Sequence, residues 1–208
     1  MRTIKKVASH IFIDGFGGMT QGLFATLIIG TMIQQIGLLI GGSTGNVIYL
    51  LGKAAAALTS AGIGVGVAVK YGESPLVTVS AAVAAMVGGY AGKITGGTFF
   101  VDGNAVLAGP GEPLGAFIAA FAGITCGHLV SGKTKVDIIV TPVITIGAGS
   151  VVGLLVGPPI SQMMTGLGSI INWATEQRPF IMGIVVSVVM GMVLTLPISS
   201  AALGIILN

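Results

Sequence analysis

Charge is what this chain has least of. Nine Lys and Arg and six Asp and Glu make up 7% of its 208 residues, against about 25% in an ordinary soluble domain. The charges lie between long apolar runs, hydrophobic residues reach 53%, and mean hydropathy is +1.03. One soluble core cannot bury that many runs, so the chain reads as a membrane protein. Cysteine is almost missing too. Cys126 alone excludes an internal disulfide, and no metal-ligand spacing accompanies it. Nothing near it in sequence would activate a thiolate, so it reads as a small apolar filler rather than a redox or phosphoryl carrier. The net charge of +3 is carried by scattered cations, which excludes a basic stripe for nucleic acid. The chain has no G-x-x-x-x-G-K-[ST] loop and no nucleophile–base–acid arrangement. It is therefore neither the motor of an ATP-driven pump nor a recognisable hydrolase. No catalytic residue, metal or cofactor is expected.

Aromatic residues are scarce at 6%, whereas glycine is abundant at 35 residues. Packing must then come from small side chains that let helices approach closely. Gly37/Gly41, Gly88/Gly92, Gly123/Gly127 and Gly149/Gly153/Gly157 have the spacing of close-packed helix faces.

A spanning helix needs about 20 mostly apolar residues. The hydropathy pattern predicts spans over 18–40, 46–69, 75–92, 114–131, 136–157 and 179–207. Residues 1–14 are too short and too charged to span. Ile4, Val7, Ala8, Ile11 and Phe12 recur at helical spacing opposite the lysines, predicting an amphipathic surface helix. A second flat amphipathic helix is predicted over 158–178, with Trp173 at the interface. The expected architecture is a single all-α integral membrane domain over 1–208, with about six transmembrane helices and these two interfacial helices. Pro142 and Pro197 interrupt the fifth and sixth spans. Proline frees a carbonyl that needs a partner in lipid; Thr195, Ser199 or Ser200 would supply one. Such a break is either part of a transport site or a simple kink.

No cleavable signal peptide is evident. With the N-terminus inside, Arg2, Lys5, Lys6, Lys70, Lys133 and Lys135 fall on the cytoplasmic side, and only Lys93 and Arg178 fall outside. That asymmetry obeys the positive-inside rule.

The exception to apolar monotony is Gly96 to Pro113, a glycine-rich segment carrying Asp102, Asn104 and Glu112. It mixes apolar residues with turn-formers. A re-entrant hairpin fits, because irregular backbone survives at membrane depth where protein or a water-filled cavity surrounds it. Its carboxylates and amide would suit sugar hydroxyls. The other reading is an external loop with solvated acids. Lys53 is the one cation well inside a span and shares a helix face with Asn46 and Ser60. It is either a functional intramembrane charge or a lysine that snorkels to the interface. His128, near the cytoplasmic end of the fourth span, is either a proton carrier or an interfacial histidine. The Lys133–Asp137 segment reads as a solvated cytoplasmic turn.

Five segments carry a family resemblance: Phe24-Ala-Thr-Leu-Ile-Ile-Gly-Thr, Gly109-Pro-Gly-Glu-Pro-Leu-Gly-Ala, Lys135-Val-Asp-Ile-Ile-Val-Thr-Pro, Ile171-Asn-Trp-Ala-Thr-Glu and Leu194-Thr-Leu-Pro-Ile-Ser-Ser-Ala-Ala. Together they resemble the enzyme IIC-like membrane family of the bacterial sugar phosphotransferase system, which includes the perfringolysin O regulators. The resemblance covers essentially the whole chain. It implies a multi-pass protein of the bacterial inner membrane that binds a sugar and presents it to a separate IIB protein for phosphorylation. It also implies a homodimer, or a second chain supplying spans, since members of the family continue beyond the position of Asn208. A Glu-Pro motif holds the sugar in glucose-type members, and Glu112-Pro113 is its one match here. The expected substrate-binding set is therefore Glu112, Asp102, Asn104, Lys53, His128 and Thr195. A regulator that does not transport, or a partial transporter or channel completed by oligomerisation, are the alternatives.

Overall fold

The computed structural model describes residues 10–107 and 109–175, with 182–184, 187–188 and 191. Thr195, Pro197 and most of the expected sixth span lie outside the described residues, as does most of the expected N-terminal surface helix.

The chain opens with an apolar helix, Ile13–Ile40, built from α1 (Phe16–Leu23) and α2 (Ile29–Ile40) with π-helical turns at His10–Gly15 and Phe24–Ile28. Threonine hydroxyls turn back on this helix: Thr20 Oγ1 donates to the Phe16 carbonyl at 2.8 Å, and Thr26 Oγ1 to that of Gly22 at 2.7 Å. Such back-bonding satisfies the hydroxyl in lipid and bends the helix. Gly41 and Gly42, at φ of +66° and +65°, then reverse the chain into α3 (Gly42–Ala57). A Cβ on Gly41 would touch nothing within 4 Å. This glycine serves the left-handed turn, not helix packing, which corrects the pairing of Gly37 with Gly41.

Helix α4 (Thr59–Lys70) follows α3 after a 52° bend at Leu58. Ser74 caps α5 (Pro75–Gly89), accepting the Val77 N–H at 3.4 Å with Pro75 in the first turn. Tyr90 separates α5 from the short α6 (Ala91–Thr95). A two-stranded hairpin follows, β1 (Phe100–Val101) antiparallel to β2 (Asn104–Ala105). Glu112 and Pro113 start α7 (Pro113–Val130), and Asp137 starts α8 (Asp137–Thr175).

Helix α5 is the hub, packed against α4, α7 and α8; α1 lies against α4. Phe16, Met19, Ile63, Val67, Val77, Ala81, Ala116, Phe117 and Ile124 form the core, with Phe16 stacked on Phe117 at 4.8 Å. Glycine sets the spacing. A Cβ on Gly123 would stand 2.6 Å from the Thr145 carbonyl oxygen, and one on Gly149 2.6 Å from that of Ala119. Gly37, Gly88, Gly92, Gly127, Gly153 and Gly157 likewise abut neighbouring elements.

Three described helices are long and apolar enough to cross a membrane: Ile13–Ile40, Pro113–Val130 and Asp137–Gly166. A fourth joins them if the bent α3–α4 pair counts as one. The third expected span is divided: α5 has 15 residues, about 22 Å at 1.5 Å per residue, short of the roughly 30 Å hydrocarbon core. Two expectations are corrected. The flat helix predicted over 158–178 is, as far as Thr175, the continuation of α8, and Pro142 lies inside that same helix without ending it. Helix α8 packs on α5 and α7 and stays helical through Pro142, Pro158 and Pro159. Apart from the two-residue-per-strand hairpin, the described elements are helical, as expected.

Candidate functional site

Two interruptions in the helices meet at one loop, Gly109–Pro113, which leads into α7. From the α3–α4 bend, Ser60 Oγ donates to the Pro110 carbonyl at 2.9 Å. From the α5–α6 break, the Tyr90 hydroxyl bonds the Gly109 carbonyl and lies 3.3 Å from that of Ala57. The Glu112 N–H donates to the Gly89 carbonyl at 2.6 Å, and the next residue opens α7. Each break exposes backbone groups that lipid cannot satisfy, so they pair with one another and with these two hydroxyls. Ser60 is fully buried and Tyr90 nearly so. Gly111, at φ +76°, fits only as glycine. A Cβ there would run into Ser60 Oγ and come within 3.1 Å of the Gly89 carbonyl.

Glu112 is half-buried at this junction. Burial pushes its carboxyl above the usual glutamate value. The Leu114 amide pulls the other way but stands outside hydrogen-bond geometry, and burial prevails. An acid at a helix N-terminus, partly desolvated and beside broken backbone, has the makings of a hydroxyl-binding group.

A family model described as "Phosphotransferase system, EIIC" matches residues 13–208. The chain belongs to that family. This EIIC chain is thus a multi-pass membrane component of the sugar phosphotransferase system. No curated protein and no solved structure matches it.

The other described residues of the expected set are dispersed in the EIIC chain. Asp102 and Asn104 sit on the exposed β-hairpin. Asp102 has φ +51° and Gly103 φ +77°, the backbone of a two-residue Asp-Gly turn, and Asn104 Nδ2 donates to the Asp102 carbonyl at 3.3 Å. Lys53 and Asn46 are exposed on α3, whereas Ser60 lies beyond the 52° bend and is buried. The face predicted to carry all three is broken between them. His128 stands at the far end of α7 from Glu112, about 24 Å away at 1.5 Å per residue. Its Nδ1 is 3.0 Å from Glu73 Oε1 on the α4–α5 turn. Asp137 ties that end together, accepting from the Gly132 N–H at 2.8 Å and Thr141 Oγ1 at 2.6 Å.

Sequence reasoning missed Tyr90, Ser161 and Gln162, and named Ser60 only as a companion of Lys53. Ser161 and Gln162 line an open cleft of about 470 Å³ between α6 and α8, with Gly92, Thr95, Gly96, Pro158 and Thr165. The available signal was a Ser-Gln pair two residues after Pro158-Pro159 in an otherwise apolar run. Gly88-Gly89 before Tyr90 similarly marked the α5–α6 break.

Proposed function

We propose that this EIIC chain binds a sugar and carries it across the bacterial cytoplasmic membrane, where a separate IIB protein phosphorylates it. One observation supports this above the rest: Glu112, its carboxyl raised by burial, stands where two helix breaks meet the loop that opens α7. Broken helices provide transporters with backbone groups aimed at a solute, together with a hinge. The proposal takes Glu112 as the central sugar ligand. Asp102, Asn104, Lys53, His128 and Thr195 are further binding candidates, completed by a second copy or another chain. It retains the six-crossing arrangement with the N-terminus inside, which the distribution of Lys and Arg favours.

The test is equilibrium binding of a panel of labelled sugars to the purified full chain. The wild type is expected to bind one of them, and Glu112→Gln to weaken it by about 1–3 kcal/mol, the range for losing a buried charged hydrogen bond. Equal affinity in Glu112→Gln removes that residue from the site. Failure of the wild type to bind any sugar favours the non-transporting regulator instead.

A further inference from the structure

The α6–α8 cleft lies apart from the loop that ties Glu112, yet α5–α6 reaches both. The Gly89 carbonyl holds the Glu112 N–H, and Gly92, one helical turn on, forms the cleft wall against Ser161. At about 470 Å³ the cleft is in the range of small-molecule sites. Its described lining contains no charged side chain, but four polar ones stand together in a protein that is otherwise apolar. Two of them have already given away their donors: Thr95 Oγ1 donates to the Ala91 carbonyl at 2.9 Å and Thr165 Oγ1 to that of Ser161 at 2.8 Å. These hydroxyls retain lone pairs. Ser161 Oγ and the Gln162 amide make no hydrogen bond among the described residues. The amide offers two donors and an acceptor, the serine one donor and an acceptor. Pro158 also removes the N–H that would bond the Leu154 carbonyl, freeing an acceptor on this stretch of helix.

Donors and acceptors thus both line a space with no charged side chain in its described lining. Hydroxyl groups, each able to donate and accept, match that lining; an ionised group would be left without a counter-charge. We propose that the α6–α8 cleft binds an uncharged polyhydroxylated molecule, an unphosphorylated sugar or sugar alcohol, with Gln162 and Ser161 determining specificity. This rests on the sugar-binding reading above and adds residues that reading does not use.

The experiment is binding of labelled hexoses and hexitols to the full chain in lipid nanodiscs, with hexose 6-phosphates as competitors. Gln162→Ala and Ser161→Ala are each expected to weaken binding by about tenfold, the worth of one well-placed hydrogen bond. Gln162→Asn, which keeps the amide, should retain part of the affinity. The 6-phosphate should compete at least about tenfold more weakly than the parent sugar. A second measurement does not depend on affinity. In a Cys126→Ser background, maleimide labelling of Thr165→Cys should slow when sugar is bound. Loss of binding in Glu112→Gln with none in Gln162→Ala or Ser161→Ala, and no protection at position 165, overturns the cleft and leaves the sugar-binding reading standing. Equal competition by the 6-phosphate overturns the uncharged specificity. Absence of binding by the wild type overturns both.

Discussion

At the scale of single residues, Glu112 carries the account, and its environment makes a pH prediction. Burial holds its proton above the ordinary glutamate value, so the folded protein binds that proton more tightly than the unfolded chain. The group's contribution to stability is fully present below the unfolded value and is lost as pH rises through the raised folded value. Thermal unfolding in detergent should therefore show stability falling with pH just above the normal carboxyl range, and Glu112→Gln should remove that slope. An unchanged slope in the variant would assign it to another group. At the other end of the bundle, burial and the Asp14 carboxylate push the Tyr71 phenol up to about 12, so Tyr71 stays neutral across this window. Glu112 was legible because an acid followed by proline in a glycine-rich gap is rare in so apolar a chain. Gln162 and Tyr90 were not, because their polarity matters only once α6 and α8 lie side by side.

Among elements, glycine contacts decide the packing. The same residue type does three different jobs here: close approach at Gly123, a left-handed turn at Gly41, and clearance for Ser60 at Gly111. Spacing alone finds the first and confuses it with the second. Gly123→Ala is expected to cost about 1–3 kcal/mol, because its methyl would meet the Thr145 backbone rather than the end of a flexible side chain. Gly147→Ala meets nothing within 4 Å and should be neutral or slightly stabilising through helix propensity. Denaturant titration of the two variants, each against wild type, checks the contrast. Equal effects would mean the glycine contact does not set the α7–α8 distance. The bend at Leu58 left only a faint mark in sequence, since Ala57-Leu-Thr-Ser contains neither proline nor glycine. At the bend the Thr59 hydroxyl turns back on the Ala56 carbonyl at 2.7 Å, the Ala57 carbonyl faces Tyr90, and Ser60 faces Pro110. Conversely, Pro142 was read as interrupting a span, yet the helix continues through it.

For the whole molecule, membrane residence and family were plain from composition and from five short segments, because both are spread over the entire chain. The path of the helices was less so. A hydropathy window sees apolar length but not direction, so it merges α3 with α4 and α5 with α6, and divides α8 in two. Those merged breaks are what assemble around Glu112. A sugar pathway built on them is tested most directly by counterflow in proteoliposomes, where labelled sugar exchanges against an internal unlabelled pool without any phosphoryl donor. The account predicts exchange of at least one sugar by the wild type and its loss in Glu112→Gln at unchanged protein insertion. Exchange that is indifferent to Glu112→Gln, or no exchange of any sugar by the wild type, would contradict it.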